Sequence, residues 1–364
     1  MKKYFFILAA AAALAACAKN EVTPVLSNEN TEIAYNVAPK TKALDEAKQE
    51  NFDQHNVFAS WAYYLPGTTT WVEEGGKNAD AKAYIANSTI SYKEGVWKNH
   101  AAGATYYWPK GGRLTFFAYS LNKTTLELDA SNSSFFHCDP TTGIAGQIDL
   151  KKDPNTDFLV AEIAKDKSAN ENQYAFNGVP TLFKHKLTRV VFTVTAEDYV
   201  DKSFTLNSIQ FNNLQTAATY GQYSAVDLAG DPNPTKDYLK PSTGATHKDN
   251  PFYTRTDLRV VAGAVTTVPE ANEVTKIYIP QEFADETATI TVNYTITTTV
   301  HHDNGTTSTV EDNCTTTIPI KSKFPQWEMG KKYIFNLKFT LAEITWDPAV
   351  EKWEDVSSSA ITIQ

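Results

Sequence analysis

The residue with the clearest chemistry is a cysteine close to the start of the chain. Cys17 closes the run Leu14-Ala15-Ala16-Cys17. Small residues ahead of a cysteine at that place resemble a bacterial lipobox, where the thiol is diacylated and the preceding peptide bond is cut. The residues before it agree. Lys2 and Lys3 make a positive start, and Tyr4 to Leu14 is unbroken apolar sequence. That run is shorter than the ~20 residues a bilayer span needs, so residues 1–16 read as a signal peptide. An ordinary secretory peptide with a chance cysteine is the competing reading. Acyl chains on Cys17 would anchor the mature chain, each buried CH₂ contributing about 0.8 kcal/mol. Residues 17–30 are polar and read as a tether between lipid and fold.

Other combinations carry less. His137-Cys138-Asp139 and His301-His302-Asp303 place metal-ligating types side by side. Neighbours on a strand point to opposite faces, so they seldom converge on one ion. Asp153-Pro154-Asn155-Thr156-Asp157 resembles a fragment of a calcium loop but lacks its glycine and terminal glutamate. Neither a metal nor a cofactor is expected. Cys138 and Cys314 have no CxxC spacing and are read either as unpaired thiols or as an interdomain disulfide. No serine-hydrolase elbow, zinc-protease helix motif or nucleotide-binding loop is present. Paired carboxylates leave glycosidase chemistry open in principle. Nothing demands it, and no enzyme is expected. Trp61, Trp71 and Trp97 are the aromatics that could stack on sugars, or fill a core.

The elements that must position such residues are strands. The chain has 364 residues, 42% hydrophobic and 21% charged. That is enough for two cores and excludes bulk disorder. A net charge of −9 argues against nucleic acid. Three cysteines exclude a disulfide-stapled framework. Ile33, Tyr35 and Val37 alternate as a short first strand, followed by an exposed loop containing Lys40 and Lys42. Val57 to Leu65 reads as a buried strand; Thr105–Trp108 ends at Pro109, Arg113–Ser120 reads as another strand of mixed pattern, and Phe158–Ile163 as a further short strand. Leu182 to Val194 reads as a strand pair. Residues 231–251 carry four prolines and read as a long loop. Ile290 to Ile296 and Thr307 to Ile318 form a hairpin around Asn304-Gly305, and Tyr333 to Leu341 alternates as a long strand. No window predicts a long amphipathic helix. Trp108-x-x-Gly111-x-x-Leu114 echoes Trp327-x-x-Gly330-x-x-Tyr333 in spacing. The expected architecture is all-β: two tandem antiparallel β-sandwich domains, 31–181 and 182–364.

Taken in order along the chain, several of these segments resemble the fimbrillin family of lipoprotein-derived pilins. They are Leu14-Ala15-Ala16-Cys17; Ile33-x-Tyr35-x-Val37 followed by Thr41-Lys42-Ala43; Tyr107-Trp108-Pro109; His185-x-Leu187-Thr188-Arg189; and Trp327-x-x-Gly330-x-x-Tyr333 with Ile344-x-Trp346-Asp347. The resemblance implies transthyretin-like sandwiches, export as a lipoprotein to the outer membrane, and no enzymatic role. It implies that a trypsin-like protease cuts in the loop after the first strand and frees Ile33, Tyr35 and Val37. A strand from another pilin subunit then fills the groove. The family's usual arginine is absent here, so the cut would fall at Lys40 or Lys42 and need a lysine-cutting enzyme. Ile361 and Ile363, two apart in the tail, are a candidate donor strand; the rival is that they form the last strand of their own domain. The expected function is a structural subunit of cell-surface fimbriae supporting adhesion. The alternative is a monomeric surface lipoprotein, or a pilus tip or anchor, that binds glycan or host protein.

Overall fold

The computed structural model describes residues 31–37, 52–72, 78, 80–127, 136–154, 156–169, 178–222, 237–242, 246–247, 250–254, 258–268, 276–341 and 344–352. Cys17, Lys40, Lys42, Ile361 and Ile363 lie outside them. The protein is all-β, and among the described residues no helix is long and apolar enough to cross a membrane.

The largest sheet starts with β10 (Val179–Pro180), β1 (Tyr35–Asn36), β4 (Val96–Lys98) and β3 (Lys82–Lys93). It continues through β2 (Phe58–Leu65), β5 (Arg113–Ser120), β8 (Leu159–Ala161) and β11 (Phe183–His185), with β9 (Ala164–Lys167) also on β5. The outermost strands, β10 and β11, are separated in sequence only by Thr181 and Leu182. The sheet must therefore curl until its two edges share one core. Tyr35 from β1 and Phe183 from β11 both meet Phe58, each at 5.4 Å between ring centroids.

Strand β2 is buried on both faces. Ala59, Trp61, Tyr63 and Leu65 enter one core, Phe58 and Ala62 the other. That is why its sequence is a continuous apolar run rather than an alternation. The first of these cores is closed by a four-stranded sheet, β16 (Tyr238–Pro241), β15 (Ala217–Gly221), β7 (Gly143–Asp149) and β6 (Phe136–Asp139). This small sheet takes strands from both sides of residue 182, and Tyr220 packs edge-on against Phe158 at 5.1 Å.

The remaining strands make a sandwich. One sheet runs β20 (Thr266–Val268), β12 (Thr188–Ala196), β24 (Lys331–Phe339), β25 (Ile344–Lys352), with β21 (Lys276–Tyr278) on β12. The other runs β18 (Asn250–Tyr253), β13 (Lys202–Asn212), β22 (Thr289–His301), β23 (Thr307–Pro319), with β19 (Leu258–Val260) on β13. A two-stranded ribbon, β14 (Leu214–Gln215) and β17 (Thr246–His247), stands beside them. Period-2 patterning aims Phe192, Val194, Phe335 and Leu337 from one sheet at Leu206, Phe211, Ile290 and Val292 from the other. A bulge after Leu206 shifts β13 by one residue, which is how Leu206 and Ile209 reach the same core. Nearly all pairings are antiparallel; β1 with β10 and β12 with β24 are parallel.

Several details depart from the sequence reading. Residues 231–251 contain β16, β17 and the start of β18. Pro241 and Pro251 are tolerated because β16 and β18 are outermost strands, where no ladder donor is needed. Tyr107 makes only an isolated bridge to Glu32. Strand β3 shows no regular alternation in the sequence because Asn87, at φ 47, interrupts its period. The hairpin is present. His302 N donates to Thr306 O at 2.9 Å, and Gly305 alone turns the corner at φ 78. Gly305→Ala is expected to cost about 1 kcal/mol, read from the shift in denaturation midpoint. The echo is also real but shifted by one residue. Gly112 (φ 75) and Gly330 (φ 66) are the residues that immediately precede β5 and β24.

Candidate functional site

The first strand is held along its length by main-chain bonds. Trp108 N donates to Thr31 O at 2.9 Å, and Ile33 N to Tyr106 O at 2.8 Å. On the opposite side Val179 N donates to Ala34 O at 2.8 Å, and Thr181 N to Asn36 O at 2.9 Å. Tyr35 pairs with Trp97 of β4 and Val179 of β10. β1 thus sits inside the sheet, covered on its outer side by β10, and is not an edge strand.

Alternation sends the side chains of this segment into the core. Ile33 is 3% exposed, Tyr35 4%, and Val37 is half-buried. Tyr35 is edge-on to Phe58 at 5.4 Å and to Phe116 at 5.9 Å. Its hydroxyl donates to Ser60 Oγ at 2.9 Å, and Ser60 Oγ donates onward to Phe117 O at 3.2 Å. Burial pushes the Tyr35 phenol above its ordinary range, so it remains a protonated donor. At the rim Lys98 Nζ meets Glu32 Oε2 at 2.8 Å, a partly exposed pair contributing about 1 kcal/mol at most.

Gly178 is what lets the strand seat. Its φ is 136, and a Cβ there would stand 2.6 Å from Ala34 O and 2.8 Å from the Tyr35 carbonyl carbon. Only glycine allows that approach at that dihedral. On the far side of the 38–51 segment, Phe52 stacks on Phe183 at 4.9 Å. Val37 and Phe52, the described residues on either side of that segment, pack against the same core.

The remaining candidates do not gather into a site. Trp61, Trp71 and Trp97 are 5%, 6% and 7% exposed and serve as core, so they are not presented to a sugar. His137 faces outward from β6, while burial raises the Cys138 thiol. Cys138 and Cys314 are unpaired thiols. His301 Nε2 lies 2.8 Å from Asp201 Oδ1, and His302 Nε2 lies 2.9 Å from Ser308 Oγ. Among the described residues no three His, Cys, Asp or Glu residues cluster as metal ligands. Sequence reasoning missed one buried pair: His185 Nδ1 sits 2.8 Å from Asp157 Oδ2 where β11 passes into β12. It also missed Ser60 and Gly178, whose roles exist only once β1 lies against them.

Fold and slot together define a class: an all-β protein of curled sheet and sandwich, with one interior strand supplied by a segment ahead of the body. A family model described as fimbrillin-like matches residues 41–353, and the chain belongs to that family of structural, non-enzymatic proteins. Among solved structures, a fimbrial protein from Bacteroides vulgatus is similar at a TM-score of 0.59 and 17% identity, covering 89% of this chain and 100% of the other. A structure from Bacteroides uniformis described as a cell adhesion protein has a TM-score of 0.46 at 19% identity, covering 89% and 99%. At these identities the first likeness is one of fold. No curated protein is similar enough in sequence to be called a relative.

Proposed function

We propose that this chain is a structural subunit of cell-surface fimbriae that supports adhesion and assembles by strand exchange. It is exported as a lipoprotein, held at the outer membrane through acylated Cys17, and released for assembly by a lysine-cutting, trypsin-like protease acting at Lys40 or Lys42. The observation that carries this reading is the position of the first strand. It is interior and buried, yet joined to the body only through the 38–51 segment. Its removal strips partners from Tyr106 O, Trp108 N, Val179 N and Thr181 N. Each such group costs about 1–3 kcal/mol when left buried and unpaired. It also opens the places of Ile33 and Tyr35 to water. A donor strand restores both sets of contacts at once. The matched family region begins at residue 41, beyond the strand and just after Lys40, which accords with a body separable from it. Other fimbrial subunits are the partners, and the tail with Ile361 and Ile363 is one candidate donor. The division into domains at residue 182 belongs to the same proposal.

Replacing both Lys40 and Lys42 by alanine is the direct test. The double variant is expected to lose the cuts at positions 40 and 42 under limited digestion with a lysine-specific protease and to form no detergent-resistant ladder. A normal ladder from that variant overturns cleavage at Lys40 or Lys42.

A further inference from the structure

We propose that the slot vacated by β1 selects its occupant by a buried phenol. The fitting donor is a segment of a different subunit reading acid, β-branched residue, any residue, tyrosine. This rests on the strand-exchange reading above and names the partner's chemistry.

Each position of that pattern has a receiving group. Phe58 and Phe116 stand nearly perpendicular to the ring in the Tyr35 place, with centroids 5.4 and 5.9 Å away, and form T-shaped pairs with an aromatic occupant. Behind them Ser60 uses its own proton on Phe117 O and turns a lone pair toward the slot. Tyrosine supplies both a ring for the two phenylalanines and an O–H for the serine. Phenylalanine supplies only the ring, and an aliphatic residue supplies neither. Two positions earlier, the Ile33 place is 3% exposed and takes a branched apolar side chain. One position before that, Lys98 reaches a carboxylate at the rim. Gly178 admits backbone alone along the neighbouring stretch, which favours a fully extended donor.

The chain's own tail matches this poorly. Ile361 and Ile363 have the spacing, but the second is aliphatic, and Ala360 stands where the acid belongs. Homopolymerisation through this slot by the tail is thereby disfavoured against a hetero-subunit bearing tyrosine.

The test uses the mature chain nicked by a lysine-specific protease and fluorescent peptides of residues 31–37, their Tyr35→Phe and Tyr35→Ile forms, and residues 358–364. The 31–37 peptide is expected to be retained about tenfold longer than the Tyr35→Phe form, the equivalent of one buried hydrogen bond. The Tyr35→Ile form and the tail peptide should leave faster still. Ser60→Ala in the nicked chain should erase the difference between the tyrosine and phenylalanine peptides. Lys98→Met, at the rim, should shorten retention of the 31–37 peptide and leave the tail peptide unchanged. Equal retention of tyrosine and phenylalanine peptides, or longest retention of the tail, overturns the inference while leaving strand exchange standing. Entry of no peptide at all overturns strand exchange itself, and this inference with it.

Discussion

A Gly178→Val chain is expected to keep its sandwich and lose its first strand. The added carbon would point into Ala34 O at 2.6 Å and into the Tyr35 backbone at 2.8 Å. Backbone cannot swing aside as the end of a long side chain can. The dihedral of 136 is itself unfavourable for any residue with a Cβ, at about 1–3 kcal/mol. Overpacking adds about 1–3 kcal/mol more. Ejecting residues 31–37 relieves both, so the damage should be local. Hydrogen exchange reads it: the amides of Ile33, Val179 and Thr181 should lose protection while those of β12 and β24 keep theirs. Uniform loss across the chain would mean that the strand is not a separable unit.

Phe211→Ala is expected to have the other large effect, about 3–5 kcal/mol of destabilisation. Phe211 is fully buried where the two sandwich sheets meet. Its ring is edge-on to Tyr278 at 5.0 Å, to Phe252 at 5.9 Å and to Trp327 at 5.7 Å. These neighbours come from two separate strands and a loop, so no single shift can close the cavity. Val310→Ala, on the exposed edge strand β23, should stay within about 0.5 kcal/mol. Comparison of denaturant midpoints distinguishes the two. A Phe211→Ala loss as small as that of Val310→Ala would mean that the sandwich core collapses around the cavity.

The elements that could be read from the chain are those in which one rule acts alone. Strands β12, β22 and β24 alternate cleanly because one face is in a core and the other is less buried. The hairpin between β22 and β23 announces itself through Asn304-Gly305, a local signal that needs no tertiary partner. The family resemblance was legible as well, because it rests on the order of short segments such as Trp327-x-x-Gly330. Strand β3 was not legible, since Asn87 leaves Ile85, Ser88 and Ile90 as its buried positions, and no single period joins them. Strands β16 and β18 were hidden by proline, which excludes a strand only where the N–H must pair.

The candidate site divides the same way. Alternation of Ile33, Tyr35 and Val37 determines that a strand with one apolar face precedes a lysine-bearing loop, because side-chain direction in a strand has period two. Whether that strand is an edge or an interior one is decided by β10, a two-residue strand from the far side of the domain. The hydroxyl relay from Tyr35 through Ser60 to Phe117 joins residues up to 82 positions apart. Gly178 and Ala34 are farther apart still. Such contacts arise only when the sheet curls and its edges converge. Periodicity tells a residue which face it occupies, and tertiary closure alone tells it what stands opposite.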